Sequence, residues 1–304
     1  MEDCIVIGGG PAGLTAAIYL ARFHLNIRLF DCGSSRAAQI PRTHNHAGYP
    51  GGIPGPELLA RMLEQAEEFG VVREPLRVSA LERDDSGTFH LKAGPEETPY
   101  SARSVLLATG VENIRPPIDD TLHQEALNRG LLRYCPICDG YEVTDKRVGV
   151  IGTGDHGMRE ALFLRGYTRD VTLVALDARH ELDPGCQRAL DDAGVAHLDG
   201  PCGELAIDGD FMVVPSAAGE LRFDSVYPAL GSRIRSGLAV RAGAAASPDG
   251  CLEVDSHQRT SIPGLFAAGD VVQGLDQISH AMGQAGVAAT TIRNMLSEQT
   301  PLRR

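Results

Sequence analysis

A chain of 304 residues with 43 % hydrophobic and 22 % charged residues has the make-up of an ordinary globular protein and room for about two domains. Its net charge of −12 argues against a nucleic-acid backbone as partner, and only Lys92 and Lys146 among its 28 basic residues are lysines. No apolar run approaches the roughly 18 residues of a membrane span, and no basic leader precedes the first apolar stretch, so a cytoplasmic location without a membrane partner is expected.

Ile5-Val6-Ile7 reads as a short buried strand, Leu14–Arg22 has helical periodicity, and Ile27–Phe30 is the next strand. Between the first strand and the helix stands Gly8-Gly9-Gly10-Pro11-Ala12-Gly13, with the G-x-G-x-x-G spacing of a dinucleotide loop. The first glycine permits a tight turn and the second lets a pyrophosphate reach the backbone. The third lets helix and strand pack closely, and the helix N-terminus adds partial positive charge. Asp31 ends the second strand, where a carboxylate accepts hydrogen bonds from a ribose diol. The spacing alone is weak and also describes a glycine-rich turn without ligand; strand, helix and acid together favour a dinucleotide.

Further on, Ala47–Pro56 is a Gly/Pro-rich loop, and Glu57–Phe69 is helical with Leu58, Leu59, Met62, Leu63 and Ala66 on one stripe. Val78–Leu81 and Thr88–Lys92 are predicted strands around the turn Asp85-Ser86-Gly87. The apolar run Val105–Ala108 leads into Thr109-Gly110, and the pattern breaks as a linker at Ile114-Arg115-Pro116-Pro117.

Cys135-Pro136-Ile137-Cys138-Asp139-Gly140 carries the chemistry. A Cys-x-x-Cys pair is a redox dithiol, half of a zinc site or a structural pair. Zinc needs two more ligands at matching spacing, and neither a second Cys-x-x-Cys nor a suitable His pair occurs, so no metal is expected. Two cysteines so spaced close a small disulfide ring, and a helix N-terminus favours the thiolate. Cys4, Cys32, Cys186, Cys202 and Cys251 stand alone and read as small buried or half-buried residues.

A second strand–glycine–helix unit follows: Val148–Ile151, then Gly152-Thr153-Gly154-Asp155-His156-Gly157, helix Met158–Arg165 and strand Val171–Ala175. The repetition amounts to an internal duplication. Gly152, Gly154 and Gly157 with Asp177 define a second candidate nucleotide site. After its second strand, Ala175-Leu176-Asp177 offers no basic cluster for a 2′-phosphate, and Asp177 repels one. Arg179 and His180 are at most a partial substitute. NADPH is disfavoured, while NADH and an empty site both stay open. A further soft boundary lies near Arg233–Arg241, before Ala267-Ala268-Gly269-Asp270 and a small-residue helix from Gln277 to Leu296.

This ordered set of motifs resembles the low-molecular-weight thioredoxin reductases, FAD-dependent disulfide oxidoreductases, over nearly the whole chain. The resemblance implies an α/β fold of two Rossmann-like, three-layer domains, the second inserted into the first through two swivel strands. Residues 1–114 plus 238–304 would bind FAD, and 115–237 would carry the redox dithiol on an NAD(P)-binding-like fold. It places Gly8, Gly10, Pro11, Ala12, Gly13, Asp31, Gln39, Asn45, Thr109, Gly110, Gly269, Asp270, Gln277 and Ile278 at FAD, with Asp270 on the ribityl chain and Gln277 and Ile278 along the ring. It makes Cys138 the flavin-proximal sulfur, Cys135 the interchange thiol and Asp139 the acid–base group. A homodimer is also implied.

Three departures from the family pattern bear on the electron donor. The basic NADPH cluster is replaced by Ala175-Leu176-Asp177, the Arg42–Pro50 region carries His44 and His46 in place of the usual Glu-Asn, and Asp276 stands where an arginine is usual. These departures look like those of relatives independent of NADPH, including ferredoxin-dependent ones. The leading expectation is a reductase of a thioredoxin-like protein disulfide with a donor other than NADPH. A dithiol oxidase acting on a small molecule with oxygen is the alternative, but that group commonly has a histidine where this chain has Asp139. A non-catalytic flavoprotein redox sensor is the third reading. His44, His46 and His280 are flavin-side acid–base candidates, each also readable as a structural histidine.

Overall fold

Cys4–Ile7 is buried at every position, which a strand covered on both faces requires, and it forms the centre of the first sheet. The computed structural model describes residues 1–299 except Ala178 and Ala218. Five parallel strands run in the order Leu265–Ala267, Val105–Leu107, Cys4–Ile7, Ile27–Phe30 and Val72–Glu74. Helix Pro11–Arg22 begins earlier than its apolar periodicity predicts, because Pro11 has the φ a first turn needs and no N–H to lose. It buries Leu14, Ala16, Ala17, Ile18 and Leu20.

Helix Gly55–Glu68 likewise starts ahead of the expected Glu57, since Pro56 is tolerated in the first turn. Leu58, Met62 and Ala66 of its predicted stripe are buried, and Leu59 and Leu63 half-buried. The two predicted strands extend to Val78–Arg83 and Phe89–Ala93, and Thr98–Ala102 completes an antiparallel sheet with them. That third strand holds Pro99 and polar residues, which mask a strand in sequence but are acceptable on a sheet edge.

Four parallel strands form the second main sheet, in the order Ala196–Leu198, Val171–Val174, Val148–Ile151 and Ser225–Pro228. Helices Gly154–Leu164 and Pro184–Asp192 accompany it, with an antiparallel sheet of Ala206–Asp208, Phe211–Ser216 and Gly219–Phe223. Helix Asp120–Asn128 is capped by the Asp119 carboxylate, which accepts from the Thr121 and Leu122 amides.

By internal contacts the chain divides into two units. The first comprises Met1–Ile40, Ile53–Glu112 and the chain from Ile234; the second comprises Pro41–Gly52 and Asn113–Arg233. The expectation for the single cysteines holds for Cys4, Cys186, Cys202 and the half-buried Cys251, whereas Cys32 is exposed because it follows the sheet strand into a turn. Among the described residues, no helix is long and apolar enough to cross a membrane.

Candidate active site

Cys135 and Cys138 are joined as a disulfide, Cα to Cα 5.2 Å, the first just before and the second within one helical turn, Pro136–Asp139. Cys135 is the N-cap residue, and its sulfur accepts a hydrogen bond from the Cys138 amide at 3.1 Å. Pro136 occupies the first turn, where its ring presets the backbone and removes no bond. Ile137 and Tyr141 are exposed beside the pair. Gly140 is needed for close packing: a Cβ there would lie 2.7 Å from the Tyr167 ring. Among the described residues, no group of three or more His, Cys, Asp or Glu is arranged to hold a metal.

Both carboxylate oxygens of Asp139 are engaged. Oδ2 accepts from Arg133 Nη1 at 3.0 Å, and Oδ1 accepts from the Tyr227 hydroxyl at 2.9 Å. Burial pushes the Asp139 pKa above the ordinary carboxyl value, while the Arg133 charge opposes the shift. Tyr227 has no exposed surface, and burial together with the Asp139 charge pushes its phenol upward. Arg133 and Tyr227 are absent from the sequence-level candidates. Tyr227 sits in a fully buried strand and gives no signal in sequence, and the arginine looks like any other until the chain is folded.

In the first unit, the glycine loop has the geometry its spacing requires. Gly8 has φ +114°, and a Cβ there would meet the Ala108 carbonyl oxygen at 2.2 Å. A Cβ on Gly13 would meet the Gly8 oxygen at 1.8 Å, so the helix sits directly against the turn. The helix has no acidic residue in its first turn, which leaves its positive end open to a phosphate. Pro11 and Ala12 open that helix, and the Ser35 hydroxyl lies 3.2 Å from where a Gly10 Cβ would be. The cradle fits a dinucleotide.

Asp31 stands at the end of its strand as expected. Its Oδ2 is held by Arg73 Nη2 at 3.0 Å and its Oδ1 accepts from the Gly33 amide at 3.0 Å. Arg36 bridges Asp270, at 3.3 Å, and Asp276, at 2.8 Å. Burial raises the Asp270 carboxyl, and Asp276 adds to the shift. Gln39 is half-buried on the turn that follows Arg36. Thr109 donates to the Arg235 carbonyl at 2.6 Å, and Gly110 adopts φ +64°. Gly269, with φ +80°, donates to Gln284 Oε1, and Gln284 also bonds His280. Gln277 and Ile278 are half-buried where the last helix, Ile278–Gln299, begins. Arg73 and Arg36, which neutralise the two key acids, were not legible from spacing because they lie far away in sequence.

Asn45 lies on Pro41–Gly52, counted with the second unit, and accepts from the Thr43 hydroxyl at 2.9 Å. On the same segment His44 is exposed, and His46 stacks on Tyr49 with ring centres 5.6 Å apart.

The second glycine loop repeats the backbone but differs in its surroundings. Gly152 and Gly157 are tightly packed: a Gly152 Cβ would lie 2.7 Å from the Ala229 oxygen, and a Gly157 Cβ 3.0 Å from the Gly152 carbonyl carbon. Gly154 has φ +63°, and the Glu181 carbonyl oxygen lies 3.6 Å from where its Cβ would be. The Thr153 hydroxyl accepts from the Glu181 amide at 2.7 Å and contacts His180 Nδ1 at 3.3 Å. Asp155 occupies the first turn of the helix and pairs with Arg159. Asp177 and Arg179 are exposed; Ala178 between them lies outside the described residues. Here Glu181 borders the loop at Thr153, and an exposed carboxylate, paired with Arg159, stands in the first turn of the helix.

The family model for pyridine nucleotide-disulphide oxidoreductases matches residues 2–285. The chain is similar to the thioredoxin reductase of Listeria innocua, with 32 % identity across 97 % of this chain and 94 % of the relative. Of solved structures, it is similar to the thioredoxin reductase from Streptococcus pyogenes at TM-score 0.88 and 29 % identity, covering 98 % of this chain and 99 % of that one. It is also similar to the atypical thioredoxin reductase TRi from Desulfovibrio vulgaris Hildenborough at TM-score 0.56 and 31 % identity, covering 99 % and 100 %.

Proposed function

The chain belongs to the pyridine nucleotide-disulphide oxidoreductases and, within them, to the low-molecular-weight thioredoxin reductases; on that premise we propose that it uses FAD to reduce a thioredoxin-type protein disulfide through Cys135 and Cys138, with a donor other than NADPH. The observation that carries the donor reading is what borders the second loop: Glu181 bonded to Thr153, with Asp155 in the first helical turn. The Asp155 charge in the first turn disfavours an anion at that helix end. Asp177 adds repulsion for a 2′-phosphate. A low-potential iron–sulfur protein of the ferredoxin class is the donor proposed in place of NADPH.

FAD would supply a two-electron carrier when bound, and the first unit's residues would hold it. Gly8, Gly10, Pro11, Ala12 and Gly13 would hold the pyrophosphate, Asp31 would accept from a ribose, and Gln39, Thr109, Gly110, Gly269, Asp270, Gln277 and Ile278 would line the rest. With the pair reduced, the Cys135 thiolate attacks one sulfur of the partner disulfide. A mixed disulfide forms, and the departing thiolate takes a proton from Asp139. The Cys138 thiol then passes its proton to the Asp139 carboxylate and, as the thiolate, attacks the Cys135 sulfur. This restores the Cys135–Cys138 bond and releases the second partner sulfur as a thiolate that is protonated by water. Two electrons have passed from the pair to the partner. Such enzymes work as homodimers in this reading.

Anaerobic titration of the flavoprotein with NADPH and with NADH tests the donor: the flavin is expected to stay oxidised, and stoichiometric bleaching by NADPH refutes the reading. Turnover of thioredoxin disulfide with reduced ferredoxin tests the reaction. Peroxide release from small dithiols in air, without thioredoxin turnover, would instead mark a dithiol oxidase.

A further inference from the structure

We infer that Arg133 and Tyr227 are positioning residues for the disulfide exchange: they hold the Asp139 carboxyl in one orientation and set the alkaline limit of its work as a proton donor. The inference rests on the reading that Asp139 is the acid of this reaction. Its basis is a two-sided clamp built from one strand. Val226 of strand Ser225–Pro228 accepts the Arg133 amide at 2.9 Å and donates its own amide to the Leu131 carbonyl at 2.8 Å. The next residue, Tyr227, reaches from the same strand to Asp139, bonding both Oδ1 and the backbone oxygen, the latter at 3.2 Å.

Arg133 is fixed in turn by its Nε, which donates to the Gly130 carbonyl at 3.1 Å. The Gly130 oxygen also accepts from Ser225 at the head of the strand. The strand therefore places both ligands of the carboxylate, one through its backbone and one through a side chain. A tyrosine with no exposed surface needs a partner for its hydroxyl, and both oxygens it reaches belong to Asp139. The carboxyl cannot turn without breaking a charged bond or leaving a buried phenol unpaired.

The charged and titratable groups facing Asp139 come from three elements. Arg133 approaches from the segment before the cysteines, Glu142 from the turn after them and Tyr227 from the strand. Burial and the Glu142 charge favour the protonated acid, whereas Arg133 and the Tyr227 hydrogen bond favour the carboxylate. A proton donor works only below its pKa, so these two residues hold the alkaline limb of exchange lower than burial alone would. Removing either moves that limb to higher pH.

The test uses the FAD-loaded full chain, reduced with dithiothreitol, desalted without air and mixed rapidly with thioredoxin disulfide across pH. Arg133→Gln is expected to move the alkaline limb up by roughly one pH unit or more, the usual size of a lost neighbouring charge. Tyr227→Phe moves it in the same direction by less, and Arg133→Lys returns it toward wild type. An unmoved limb in both Arg133→Gln and Tyr227→Phe overturns the inference, and Tyr227→Phe alone decides if Arg133→Gln does not fold. Absence of exchange in the wild type refutes the proposed reaction instead. In that event the Asp139 carboxyl band, identified in infrared spectra by its loss in Asp139→Asn, is titrated in wild type and Tyr227→Phe. Identical titrations overturn the inference, and a higher midpoint in the variant supports it.

Discussion

His123 and Asp139 are displaced in opposite directions by the same cause, because burial penalises whichever form carries the charge. Burial takes the His123 imidazole from 6.5 down to about 4, with the nearby Arg115 charge adding to the fall, while its ring nitrogen bonds the Tyr134 hydroxyl at 2.9 Å. Between those two values the unfolded chain binds a proton that the folded chain does not. The stability from a neutral His123 is therefore present above pH 6.5 and is lost as pH falls toward about 4. Urea midpoints measured through this window are expected to drop in the wild type and to show a shallower pH slope in His123→Gln. For Asp139 the same penalty keeps a proton near the dithiol at higher pH than an exposed carboxyl would. Asp139→Asn removes the proton donor of the proposed reaction, and exchange with thioredoxin disulfide is expected to slow by roughly 10²-fold or more. An unchanged flavin spectrum in the variant separates lost chemistry from lost folding.

Two glycine loops with one spacing differ in what borders each of them. In the first, Gly13 lets helix Pro11–Arg22 rest on the turn, and no carboxylate opens the helix. In the second, Asp155 opens helix Gly154–Leu164 and Glu181 lies across Thr153. Gly13→Ala places a methyl within bonding distance of the Gly8 oxygen, so strand and helix must separate. That shift is expected to destabilise the protein by about 1–3 kcal/mol and to empty the flavin site, as read from the melting temperature and the flavin-to-protein ratio. Gly154 packs less tightly, so its role is conformational: its φ of +63° suits glycine whether or not a nucleotide binds. This is why glycine spacing alone says little about occupancy.

Across the whole molecule, the first glycine loop borders a helix with no acid in its first turn and the second a helix with Asp155 there; with FAD proposed at the first loop alone, each chain is expected to bind one flavin. Absorbance of released flavin against protein concentration checks this, and two per chain would contradict it. Residues contiguous in the chain were legible before folding: Gly8–Gly13 on its strand and helix, Cys135–Gly140, and Asp31 at a strand end. Local geometry makes them so, since a turn, a helical start and a small disulfide ring depend on neighbours a few residues away. The arginines on Asp31 and Asp270, the Glu181 amide on Thr153 and the clamp on Asp139 were not legible. Tyr227 lies 88 residues from Asp139 and Arg36 lies 234 from Asp270, and nothing local couples such pairs. By itself the sequence determined that this is a two-nucleotide-loop dithiol protein and where its sulfurs stand. Only the tertiary structure decided which carboxylates pair with arginines and what borders each loop, because burial and long-range hydrogen bonds exist only once distant strands share a sheet.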